Sequence, residues 1–303
     1  MSVDFPARRF YPATVNPLSI RLPRGWGLAT PPVAFLLFFF VLPAITLFVT
    51  SFFAAQAFQI VPDWNVGNYL RIFKAAGFWK ANFQGLTNGF FVATISVLLA
   101  FPAAFYVVYR AKTNLILYMA LLSWFSSYLV RIFAWRTILG TNGMVNSALI
   151  NLGLIDAPLD FLIFSPTAAI ITLVHIMVPF ALLILVSALQ DVKAEYLEAA
   201  RDLGATRWQV LTRVILPMCH KGLVGAFMFS FILAAGDFII PQLMGGRDGI
   251  TSGLLISGQF RSVGNWPLGS AMAWTLMSCL LIVYLLFVGL LYVARLSPGR
   301  RYH

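Results

Sequence analysis

Charge is scarce in this chain. Asp, Glu, Lys and Arg make up only 10% of its 303 residues, against about a quarter in an average soluble domain. Hydrophobic residues reach 60%. Too little polar surface is left for a soluble globule, and the apolar excess excludes a disordered chain or a collagen. Acids are scarcer than bases, 10 against 21, for a net charge of +11. Cysteine is nearly absent. Cys219 and Cys279 form no CxxC pair, so neither a disulfide framework nor a redox or zinc motif is implied. HExxH, a serine–histidine–acid set and the phosphate-binding GxxxxGK[ST] are all missing. No repeat of fixed period is present.

What is there instead is long stretches without any charge, at 25–62, 81–109, 113–130, 161–190 and 262–294. A sixth, 222–236, is interrupted by Asp237 and continues to Met244. A bilayer crossing takes about 20 apolar residues in a helix. The runs are too long and uniform for barrel strands. Six transmembrane helices are expected, near 31–54, 85–108, 113–139, 165–190, 220–243 and 269–294. The uncharged stretch 137–155 carries Asn142, Gly143, Asn146, Asn151 and Gly153 and is expected as an external loop. Sorted by alternate loops, fourteen Lys and Arg fall on one side and five on the other, with Arg131 and Arg136 inside the third span. This bias places both termini in the cytoplasm and makes the net charge an orientation signal, not a nucleic-acid signal. Ala55-Gln56-Ala57 has the form of a cleavage site. The apolar run before it is longer than a signal's, so cleavage is not expected.

The chain divides into a cytoplasmic tail (1–30), a first span with an external amphipathic segment (31–84), a five-helix core (85–295) and a second tail (296–303). In the external segment Trp64, Tyr69, Phe73, Phe78 and Trp79 suit an interface. Leu70, Phe73 and Ala76 suggest a short amphipathic helix. Gly85, Gly89 and Ala93 in the second span, and Gly222, Ala226, Ser230 and Ala234 in the fifth, recur every four residues. Such ladders allow close helix approach, either within this chain or against a second membrane subunit.

The longest cytoplasmic connection, 191–221, is patterned. Val192, Tyr196, Ala199, Ala200 and Leu203 share a helical face, and Glu195, Glu198 and Asp202 form an acidic stripe. Gly204 ends the helix, and Thr206 with Gln209 has capping-box spacing for a second. Trp208, Leu211, Val214 and Ile215 are its apolar residues, and Pro217 closes it or begins the fifth span. An acidic face is disfavoured by anionic lipid, so a protein partner is the better expectation.

Glu198-Ala199-Ala200, Gly204 and Val214 with Leu216-Pro217 resemble the EAA loop of ABC importer permeases, with Val214 in place of Ile. The resemblance covers about 85–295 and implies an all-α integral membrane protein of the type I ABC importer permease fold. It further implies that 191–217 is a coupling unit docking on a cytoplasmic ABC ATPase, through Glu195, Glu198, Ala199, Ala200, Asp202, Gly204 and Pro217. The implied partners are two copies of that ATPase, a second permease or a second copy of this chain, an extracytoplasmic solute-binding protein and membrane lipid. ATP and Mg would sit on the ATPase, and this chain would bind no cofactor or metal and catalyse no reaction. The implied location is the bacterial inner membrane. A narrower resemblance, to spermidine/putrescine-type permeases, rests on Ser127–Trp135 (SYLVRIFAW), Gly143-x-x-Asn146, Gly236-Asp237-Phe238, Pro241 and Leu243 to Gly246. It implies transport of a polyamine-like solute.

Charges inside a membrane are expensive and are paired, hydrated or functional. Arg131 and Asp237 are expected to approach one another, as a structural pair or as part of a pathway or gate with Arg136. His175, beside Pro179, is expected in a hydrogen-bonded packing role. An ion- or proton-coupled secondary transporter built on Asp237, His175, Arg131 and Arg136 is the alternative, but it leaves the EAA loop unexplained.

Overall fold

A computed structural model describes residues 26–56 and 58–293, so the two tails expected at 1–30 and 296–303 lie almost wholly outside the described residues. Five helices are long and apolar enough to cross a membrane, and a bent pair supplies a sixth crossing when its halves are taken together. Of the described residues, those from 26 to 46 fall in one unit and those from Leu47 onward in another. The first unit holds most of α1 (Thr30–Thr50), whose turns have no buried position.

The second unit opens with a hairpin, β1 (Ala54–Gln56) antiparallel to β2 (Gln59–Val61). Strands of three residues carry too little alternation to be seen in sequence. The expected short amphipathic helix is present as α2 (Gly67–Lys74). Ile72 is its buried residue, while Leu70 and Phe73 are exposed. Helix α3 (Ala76–Tyr109) begins earlier than expected. Its 34 residues span about 51 Å at 1.5 Å per residue, more than the ~30 Å hydrocarbon core.

The third crossing is not one straight span over 113–139. It is α4 (Leu115–Phe125) and α5 (Tyr128–Leu139), broken where Ser126 and Ser127 adopt extended backbone, and Leu115–Phe125 bends by 98° against the stretch Tyr128–Asn151. Two adjacent serines, weak helix formers that compete for backbone hydrogen bonds, mark the break. The expected external loop contains a short helix, α6 (Met144–Asn151). Its buried Asn146 donates to the Gly140 carbonyl and accepts from the Leu159 N–H, which ties the loop down.

Helix α7 (Pro166–Gln190) is the most buried crossing. Ser165 caps it by accepting from the Ala168 N–H, with Pro166 at its start. After α8 (Ala194–Asp202), α9 (Arg207–Gly236) runs through Pro217 as one helix instead of breaking there. A π-helical stretch, Leu211–Ile215, precedes the proline. Pro217 cannot donate to the previous turn, and a locally widened helix accommodates that loss.

The small-residue ladders pack within the chain. A side chain at Gly89 would stand 2.8 Å from the Ala235 methyl and 3.0 Å from the Phe231 carbonyl, and one at Gly222 would collide with Ala188. Helices α3, α7 and α9 therefore meet almost backbone to backbone. Helix α9 ends at Gly236, short of the expected 243. The short helices α10 (Ile239–Met244) and α11 (Ser252–Gly258) follow, and α12 (Trp266–Val293) makes the last crossing.

Candidate functional site

Two places hold the residues singled out by sequence. The first is the connection between α7 and α9. Its turn is built by backbone geometry. The Gly204 N–H donates to the Arg201 carbonyl at 2.8 Å and the Ala205 N–H to the Ala200 carbonyl at 3.0 Å, the paired bonds that close a helix over a left-handed residue. Gly204 supplies that residue, at φ +79°. Thr206 then accepts from the Gln209 N–H, and the Gln209 side chain accepts from the Thr206 N–H, a complete capping box. Helix, turn and helix thus form a corner with its terminal groups satisfied.

The corner is seated by Leu197, which is buried with Val192, Val210 and Ile215 against Ala104, Leu185 and Leu189. Sequence reading missed Leu197, which lies outside the apolar face it identified. Tyr196, Ala199 and Leu203 are exposed, Leu203 at 89%, and only Val192 and Ala200 of the expected face turn inward. A helix of nine residues has too few turns to fix its rotation from periodicity. Glu195, Glu198 and Asp202 are exposed on the corner. Pro217 is exposed but belongs to α9.

The second place is the break after α9. Gly236 and Asp237 leave the helix, with Asp237 at ψ 140°. The Asp237 carboxylate accepts from the Tyr128 hydroxyl at 2.7 Å and from the Ile240 N–H at 2.9 Å, so it caps α10 and tethers α5. Gly253 at the start of α11 lies under this break; an added Cβ would be 2.9 Å from the Gly236 carbonyl. Arg131, one turn beyond Tyr128, is 9% exposed, and its Nε and Nη1 have no hydrogen-bond partner. Arg131 and Asp237 line one cavity of about 300 Å³ with Trp124, Tyr128, Phe180 and Leu233. They approach one another across this cavity, as expected, but form no ion pair within 4.0 Å among the described residues. It is the Tyr128 hydroxyl, and not the buried Arg131 guanidinium, that bonds the carboxylate.

Arg136 is not part of this cavity. It is exposed, with its guanidinium 5.3 Å from the centre of the Phe164 ring. His175 packs edge-on against Trp135 at 5.7 Å, and its Nδ1 has no hydrogen-bond partner, so the hydrogen-bonded role expected of it is not found at that nitrogen. Tyr128 was visible only inside the longer motif; a phenol in an apolar run gives no sign of the carboxylate it serves.

The family described as "Binding-protein-dependent transport system inner membrane component" matches residues 72–301. The chain is 32% identical over 259 residues to the spermidine/putrescine transport system permease protein PotB of Salmonella typhimurium (strain SL1344), covering 83% of this chain and 89% of that protein. It is 30% identical over 258 residues to the PotB of Escherichia coli (strain K12), covering 83% and 93%. Among solved structures, a bacterial alginate ABC transporter in complex with an alginate pentasaccharide-bound periplasmic protein has a chain that superposes with a TM-score of 0.70 at 19% identity, over 88% of this chain and 94% of that one. The inward-facing MetNI methionine ABC transporter matches with a TM-score of 0.53 at 18% identity, over 73% and 96%. The likenesses in fold agree with the sequence match, and the match itself decides the family: the chain belongs to the binding-protein-dependent transport system inner membrane components, the permeases of ABC importers.

Proposed function

We propose that this permease moves a polyamine-like solute across the bacterial inner membrane, driven by a separate cytoplasmic ATPase that docks on the α7–α9 corner. The observation that carries the reading is the corner itself. Leu197 anchors it to the core, while Glu195, Glu198, Ala199 and Asp202 stand free on the surface. A rigid, anchored unit transmits displacement; a loop would absorb it. Two ATPases closing on ATP would draw two such corners together and switch the spans from inward- to outward-facing. The second corner belongs to a sister permease or a second copy of this chain, and an extracytoplasmic binding protein delivers the solute. The polyamine class is supported by the names of the PotB relatives. Arg131 and Asp237 are candidates for the pathway or gate, because they line a cavity at a helix break.

The test is Glu198→Gln in the reconstituted transporter. Loss of one charge-assisted hydrogen bond, ~1.5 kcal/mol, predicts an about tenfold fall in solute-stimulated ATP hydrolysis, with binding-protein affinity for solute unchanged. Undiminished stimulation would overturn the docking assignment.

A further inference from the structure

The corner has a second side. Between it and the end of α3 lies a cavity of about 870 Å³, within the range of about 300–1,000 Å³ typical of ligand sites. Its rim carries Arg110, Arg201 and Arg207, and its floor includes Phe105, Leu197 and Ile215. The acids Glu195, Glu198 and Asp202 are not among its lining residues. Among the described residues none of the three arginines comes within 4.0 Å of an acid, and none of their side chains makes a hydrogen bond. Three cations thus surround one hollow without a counter-charge.

The height of the cavity is set by its walls. Arg110 follows the last residue of α3, and Arg207 is the first of α9, so two helices end at the rim, one of them at the close of a crossing. Tyr109 and Trp208, the latter 71% exposed, lie beside these arginines, as aromatic residues do at a headgroup layer. Below them the floor is apolar. On the orientation given by the Lys and Arg bias this is the cytoplasmic leaflet, where anionic lipid concentrates and attracts basic residues.

We propose that this cavity holds the phosphate headgroup of an anionic phospholipid, wedged between α3 and the corner. Guanidinium groups bind phosphate by paired N–H···O bonds, and the acyl chains would leave over the apolar floor. The lipid then braces the membrane side of the unit whose opposite side meets the ATPase. This role rests on the docking reading above, whereas occupancy of the cavity does not.

Native mass spectrometry of the whole transporter, extracted in mild detergent, reads retained lipid, and nanodiscs of phosphatidylcholine with or without phosphatidylglycerol read ATP hydrolysis. The wild type should retain phosphatidylglycerol selectively and hydrolyse ATP faster in its presence. Each of R110Q, R201Q and R207Q should weaken retention about fivefold, while the triple lysine variant, R110K/R201K/R207K, should retain less than the wild type but more than the triple glutamine variant. Equal retention by the triple glutamine variant would overturn the proposal. So would displacement of the lipid by millimolar inorganic phosphate alone, which would make the site one for a free anion, or loss of the ATPase from that variant, which would make the arginines part of docking. If the wild type copurified without any ATPase, the docking reading would fail, yet lipid retention would still decide the cavity.

Discussion

Gly204 sits at φ +79° with open space where a side chain would go. Its constraint is therefore conformational and not steric. A β-branched residue there costs about 1–2 kcal/mol, while asparagine tolerates the left-handed region. Gly204→Val is expected to lower transport severalfold and Gly204→Asn to stay near wild type, in an uptake assay with binding-protein affinity measured alongside. Two side chains of similar bulk behaving alike would contradict this account. At the break after α9, Asp237 is held by Tyr128 and the Ile240 N–H. Tyr128→Phe should destabilise the purified protein by about 1.5–3 kcal/mol, the range for a hydrogen bond to a charged group, read as a lower thermal midpoint. Reversing both charges, Arg131→Asp with Asp237→Arg, should not restore transport, since the two do not pair; rescue would contradict the geometry. Lone charges in apolar runs led from sequence to Arg131 and Asp237. Sequence could not separate them from Arg136, which is exposed, because charge carries no rotational information in a span with few polar neighbours.

At the scale of elements, the four-residue ladders announced close packing without naming the partner. Gly222 meets Ala188 of α7, and Gly89 meets Ala235 of α9. Adding a methyl at Gly222 overpacks the contact, and about 1–3 kcal/mol of stability should be lost. Gly222→Ala should lower the thermal midpoint in detergent, and adding Ala188→Gly should recover it. Gly77→Ala, with nothing within 4 Å, should be neutral. No recovery in the double variant would place the Gly222 contact elsewhere. The corner was legible from sequence because each of its signals is local: Gly204 for the left-handed turn, Thr206 and Gln209 for the capping box. The breaks were less legible. Ser126-Ser127 splits a crossing that an unbroken apolar run describes as straight, and Pro217 sits inside a helix because a π-helical stretch comes before it. Neither an extended pair of residues nor a π-helical turn changes the apolar count from which a span is read.

For the whole molecule, charge-free runs located the five helices that are long and apolar enough to cross among the described residues, and the bent pair between them, since length and apolarity are the properties a bilayer selects. The surface left over is what assembly must use. The acids of the corner stand exposed beside Tyr196 and Leu203, a combination that a lone subunit has no reason to keep in water. The most direct test places a single cysteine on that surface. Ala199→Cys, in a background where Cys219 and Cys279 are alanine, is crosslinked in membranes with a short thiol-reactive reagent, purified by a tag and identified by mass spectrometry. The account predicts a crosslinked ABC ATPase, with a second permease copurifying if the pore is heteromeric. An ATPase that copurifies but never crosslinks to this position, or no ATPase at all, would contradict it.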